Sequence, residues 1–152
     1  MSLLTSPSNS RRTWALDYTR FRGQTPPRAC LYLLADVRRG VALSAMLAEQ
    51  PLGPGLAAWL ESATIGRPPP QALRLTDLLP EDRLALHAWC VAHGVVIERQ
   101  TYAASPFRDP VERLLHSAWQ SLGLAPGKAG ELPTWTAAQQ RLDGWFREHC
   151  QR

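Results

Sequence analysis

Residues 14–22 read WALDYTRFR, and the reading of this stretch decides the fold. Trp14, Leu16 and Tyr18 fall on one side of a period-two pattern, with Asp17 and Thr19 on the other. Alternation with aromatic content predicts a β-strand rather than a helix. A carboxylate among Trp14, Leu16 and Tyr18 is unfavourable unless Asp17 serves the exposed face of that strand.

Working outward, residues 1–12 are polar and Ser-rich, which predicts a frayed, disordered arm ahead of a single domain over 13–152. GQTPP (23–27) has the composition of a turn, and ACLYLLADV (29–37) follows as a continuous apolar run of strand length. Its Leu and Ala content would also suit a helix. VALSAMLAE (41–49) is a third strand if Arg38-Arg39-Gly40 forms a turn, and a helix if it does not. GLAAWLESA (55–63) predicts a helix, and GRPPP (66–70) breaks the chain. ALRLTD (72–77) predicts a short strand. Pro80 suits the first turn of a helix reaching His93, with Glu81 and Asp82 at the positive end of its dipole and Gly94 as its C-terminal cap. GVVIERQTY (94–102) is rich in β-branched residues and predicts a strand. Asp109 caps a helix with Pro110 at its first position, which ends near Gly123. A Gly- and Pro-containing linker (123–133) leads to an amphipathic helix over 134–149, carrying Trp135, Leu142, Trp145 and Phe146. Strands joined by tight turns come first and strands separated by helices come later. The order predicts a mixed α/β sheet, antiparallel at the start and parallel afterwards, flanked by helices.

Composition bounds the function. The 152 residues carry a net charge of +4, and 16 of the 17 basic residues are Arg, Lys128 being the exception. Forked guanidinium groups suit phosphate contact, although a GC-rich genome would give the same bias. No apolar run approaches the ~20 residues that span a bilayer, and MSLLTSPSNSRR lacks the apolar segment of a secretory leader. Three scattered cysteines exclude a disulfide scaffold and point to a reducing cytoplasm. His87, Cys90 and His93 recur every three residues, a spacing that smears over a helix surface and suits a core Cys90 better than a metal pair. Trp59, Trp89 and Trp119 lie thirty apart, but their flanks do not match and form no repeat.

Three acidic residues carry the chemistry. Asp17 lies inside the first strand, Asp77 ends a short strand, and Glu112 opens a helix. Each alone has the ordinary reading of a cap or surface residue. Together they supply hard oxygen ligands from separate elements, as a two-cation site requires.

The ordered text WALDYT, LYLLADVRRG, LRLTDLLPED, WCVAHGVVIE and SPFRDPVER, followed by LDGWFREHCQR, resembles the catalytic core of DDE transposases and retroviral-type integrases. The resemblance runs from about Thr13 to the end of the chain, and the 34 residues between Asp77 and Glu112 fall in that family's spacing range. It implies a ribonuclease H-like fold and assigns Asp17, Asp77 and Glu112 as the catalytic triad. In such enzymes the triad holds two Mg²⁺ or Mn²⁺ ions that activate water or a DNA 3′-hydroxyl and stabilise the leaving oxygen. The resemblance makes DNA the substrate, with a protein partner supplying end recognition and homo-oligomerisation an open option. Residues 100–109 would correspond to the mobile active-site loop. Arg20, Arg22, Arg108 and Arg113 could ring the site and neutralise phosphates, and Trp119 could stack on an unpaired base or sit in the core. The pattern departs from the family where Asn-Gly and a following aromatic usually stand: here the positions are Leu78, Leu79 and Asp82. Trp119 also replaces a DNA-facing basic residue. These departures leave open a domesticated, catalytically inactive core that binds DNA or protein.

Overall fold

The structure, a computed structural model, describes residues 11–22, 28–75, 79–99, 110–123 and 134–150. Its elements are β1 (Thr13–Arg22), β2 (Arg28–Asp36), β3 (Val41–Ala48), α1 (Gly55–Ala63), β4 (Ala72–Leu75), a 3₁₀ turn (Pro80–Asp82), α2 (Arg83–His93), β5 (Val96–Arg99), α3 (Pro110–Ser121) and α4 (Trp135–His149). The five strands form one sheet in the order β3-β2-β1-β4-β5. β1, β2 and β3 pair antiparallel, while β4 and β5 run parallel to β1. This is the mixed sheet the sequence predicts.

The open choice at 41–49 resolves to a strand because 37–40 form a turn. Asp36 accepts the Arg39 amide on its side chain at 3.0 Å and the Gly40 amide on its carbonyl at 2.9 Å. Gly40 takes φ +64°, a conformation that a residue with a Cβ resists. β2 is a continuous apolar run because it lies between two layers and is buried on both sides from Ala29 to Ala35. On one face Trp14, Leu16, Tyr32, Leu34, Leu73 and Leu75 pack under α1 and α2. On the other, Ala15, Leu31, Leu33 and Ala35 pack under α3 and α4. The result is a three-layer helix–sheet–helix domain.

Two expectations need correction. The second face of β1 is not exposed: α3 and α4 cover it, so Asp17 is only 6% exposed. The helix expected from Pro80 does reach His93, but its first turn is 3₁₀ and Asp82 there has another role. The Pro80 segment is a 3₁₀ turn, α2 begins at Arg83, and Asp82 is fully buried. Its Oδ2 accepts the Tyr32 hydroxyl at 2.5 Å and its Oδ1 accepts the Gly53 amide at 2.6 Å. Those donors outweigh the helix dipole as the reason an aspartate stands there. Gly94 caps α2 at φ +65° as expected, and Thr134 Oγ1 caps α4 by accepting the Ala137 amide at 3.3 Å. β4 and β5 are shorter than expected within the described residues; positions 76–77 and 100–102 lie outside them.

Candidate active site

Asp17 sits in the middle of β1, opposite Leu33 of β2. Side chains alternate along a strand, so Asp17 shares the face of Ala15, under α3 and α4. The parallel neighbour β4 has its last described residue, Leu75, paired with Leu16. Asp77, two positions beyond Leu75, lies outside the described residues.

The rotation of α3 determines where Glu112 points. Val111, Leu114, Ala118 and Leu122 form its buried stripe. At about 100° per residue, Ser117 falls on one flank of that stripe, and Glu112 and Trp119 fall on the other. The Ser117 Oγ accepts the indole N–H of Trp145 at 2.9 Å, so α4 occupies the Ser117 flank. α4 in turn lies along β3, where Gln139 Nε2 donates to the Leu47 carbonyl at 3.4 Å and Cys150 bridges to Ala42. The flank bearing Glu112 is therefore the one opposite α4, on a helix that meets both β1 and β3. Glu112 is half-buried, and its Oε2 is fully buried.

Two carboxylates, one inside the sheet and one on the overlying helix, thus share a face. Carboxylate oxygens are hard donors of the kind Mg²⁺ and Mn²⁺ prefer, and their burial is costly without a cation or donors to balance it. By chemistry Asp17 and Glu112 are donors of the type a divalent ion takes. Among the described residues no three His, Cys, Asp or Glu side chains converge, the third expected ligand being Asp77.

The expected DNA contacts separate by position. Arg20 shares the Trp14, Leu16 and Tyr18 parity, which places it on the opposite face from Asp17. There it makes a loose pair with Glu81 at 3.7 Å, both side chains half exposed. Arg113 is exposed on α3, one position past Glu112. Trp119 is half-buried against the α3–α4 core, on the same flank as Glu112. Arg108 and the side chain of Arg22 lie outside the described set.

The histidines and cysteines take structural places. Cys90 is buried, and burial pushes its thiol up to about 11. His87 is exposed. His93 meets Glu61 Oε2 at 2.8 Å, where the Trp89 indole also donates at 2.9 Å. The Trp89 hydrogen bond, with His93 beside it, holds the Glu61 carboxyl below its usual range. This cluster joins α1 to α2. Trp59, Trp89 and Trp119 serve different packing roles, with Trp59 and Trp89 in one core and Trp119 against the other.

No protein-family model matches the chain, and no curated protein sequence does. Solved structures do. The catalytic core domain of BIV integrase superposes with a TM-score of 0.56 at 14% identity, over 86% of this chain and 80% of that one. The HTLV-2 integrase catalytic core, solved with magnesium in a dimeric form, gives 0.51 at 17% identity, over 87% and 83%. A chain of the simian T-cell lymphotropic virus intasome in complex with the PP2A regulatory subunit B56 gamma gives 0.55 at 19% identity. The match covers 87% of this chain and 47% of the viral one, so the protein spans about half the length of that relative. The fold is the ribonuclease H-like fold of integrase catalytic cores. Among the described residues no helix is long and apolar enough to cross a membrane.

Proposed function

We propose that the chain is a DNA-acting core of the integrase and transposase type. In this reading Asp17, Asp77 and Glu112 hold Mg²⁺ or Mn²⁺ for phosphodiester cleavage or strand transfer, and a partner supplies recognition of the DNA end. The observation that carries it is the burial of Asp17 in the centre of β1, on the face that α3 covers with Glu112. A carboxylate enclosed in the sheet is an unusual choice, and this reading gives Asp17 the part of a cation ligand. Bound divalent ions would supply positive charge to a phosphoryl group and to the attacking and leaving oxygens. The protein's part is positioning: the β1–β2 and β1–β4 ladders fix Asp17, and the Ser117–Trp145 bond fixes the rotation that aims Glu112.

The neighbours support the accompanying assignments. The HTLV-2 core was solved with magnesium and in dimeric and trimeric forms, which favours a divalent cofactor and self-association. The simian viral chain was solved with a protein regulatory subunit, which favours a protein partner. Three free thiols suit a reducing cytoplasm.

A second reading, a catalytically inactive core that binds DNA or protein, is favoured by Leu79. It stands where the family carries a small polar turn and is buried at 2% exposure in the α1–α2 core. Incubating the protein with supercoiled plasmid and with frayed-end duplexes in Mn²⁺ separates the readings. The first predicts Mn²⁺-dependent strand breaks that fall at least tenfold in Glu112→Gln. Breaks that persist in Glu112→Gln would reject the triad, and DNA retention without breaks would select the second reading.

A further inference from the structure

The sequence contains two Arg-Arg doublets, at 11–12 and 38–39, separated by 25 residues. The fold brings them together. Arg11, Arg12, Arg38 and Arg39 line one groove of about 410 Å³ with Asp36, at the end of the sheet where β1 begins and β2 turns into β3. We infer that this groove is a binding track for the phosphodiester backbone of duplex DNA, separate from the carboxylate site. It rests on the proposed function only in taking DNA as the ligand.

The groove is built rather than incidental. Its first wall is anchored by Arg12, whose carbonyl accepts the Gln71 and Ala72 amides at 2.8 and 3.2 Å. The Arg12 amide donates to Gln71 Oε1 at 2.9 Å, its Nε donates to the Pro69 carbonyl at 3.3 Å, and Arg11 is ion-paired to Glu98. The second wall is the Asp36–Gly40 turn described above, tied to the first by the Val37 amide donating to the Thr13 carbonyl at 3.0 Å. Arg38 and Arg39 are exposed and make no ion pair among the described residues. Four arginines and one aspartate line the groove, and Glu98 pairs with Arg11, which leaves a positive surplus there. Forked guanidinium groups match phosphate oxygens, and Arg11 and Arg12 are already held in place by their contacts.

The lining distinguishes possible ligands. Among the described residues every lining residue is charged, whereas a membrane-binding surface adds apolar side chains that insert. Among the described residues the exposed large apolar ones, Ile65, Leu84, Val91 and Val96, lie on other elements. An open groove with doublets on both walls suits a continuous chain of phosphates better than a single anion. Position matters as well: a Cβ built on Gly40 would lie 3.4 Å from Pro110, the first residue of α3, two positions before Glu112. A backbone lying in this groove would therefore pass the end of the helix that carries the proposed ligand.

The test is binding of a short duplex by the full chain in EDTA, across a salt series, so that metal chemistry plays no part. Each phosphate contact contributes about −0.9 to the slope of log affinity against log salt. Arg38→Gln/Arg39→Gln should lower the magnitude of the slope by about two and leave the circular dichroism and melting temperature unchanged, because the turn is held by Asp36 and Gly40. Arg141→Gln/Arg147→Gln, on the exposed side of α4, should leave the slope as it is. DNA binding with the same slope in both double variants would overturn the groove while leaving DNA as the ligand. Absence of duplex binding in the parent would overturn the groove and the DNA reading together. Arg38- and Arg39-dependent binding to anionic phospholipid vesicles, tighter than to duplex, would replace DNA with a membrane surface.

Discussion

Asp82 shows how much one buried charge can organise. Fully enclosed, it is balanced by the Tyr32 hydroxyl and the Gly53 amide, and Tyr32 itself accepts the Leu52 amide at 3.0 Å. β2, the loop before α1 and the start of α2 are thereby fastened at one point. Tyr32→Phe removes a hydrogen bond to a charged group and should cost about 1.5–3 kcal/mol in urea unfolding. The same variant carries a pH signature. Burial first, and then the Asp82 hydrogen bond, raise the Tyr32 hydroxyl well above its usual range. Its stabilising contribution is complete below the unfolded value near 10 and is lost as pH rises toward the higher folded value. The stability gap between parent and Tyr32→Phe should therefore hold steady from pH 7 to 9 and narrow above 10. A gap unchanged to pH 11 would contradict the assignment.

At the scale of elements, the contact between α3 and α4 decides the direction of Glu112. Trp145→Phe keeps most of the apolar bulk and deletes only the indole donor to Ser117. It should cost about 0.5–1.5 kcal/mol in thermal or urea unfolding. It should also weaken divalent-ion binding several-fold without touching a ligand, which isothermal calorimetry would measure. Equal metal affinity in both proteins would mean that helix rotation does not matter. Much of this scale was legible from residues. The alternation of WALDYTRFR marked β1, the apolar run of 29–37 had strand length although its Leu and Ala content left a helix open, and Gly94 marked the end of α2. The same alternation puts Arg20 beside Leu16 rather than Asp17, so its separation from the site was already written in the strand period. Other features needed tertiary contacts. Nothing within 41–49 distinguishes strand from helix until Asp36 closes the turn. Nothing near Asp82 points to Tyr32, fifty positions earlier.

At the scale of the molecule, two helical layers cover the sheet and bury its centre, Asp17 included. The order of strands and the resemblance in the sequence were enough to define the integrase-core fold. The placement of Asp17 and Glu112 on one face follows from strand parity together with helix rotation, and only the first of these can be read from sequence. The arginine doublets were visible as text, but their convergence depends on the β2–β3 turn folding back to the start of β1. If Asp17, Asp77 and Glu112 converge as proposed, their like charges repel one another in the absence of a cation, and metal should stabilise the folded chain and not the unfolded one.

Thermal unfolding across a Mn²⁺ and Mg²⁺ titration tests that central claim most directly. Free ion at 100 times its dissociation constant should add about 2.7 kcal/mol to the parent. Asp77→Asn should lose most of that increment while melting slightly higher than the parent in EDTA, through relief of like-charge repulsion. A parent whose melting temperature ignores both ions, or an Asp77→Asn variant that keeps the full increment, would contradict a shared metal site at Asp17, Asp77 and Glu112.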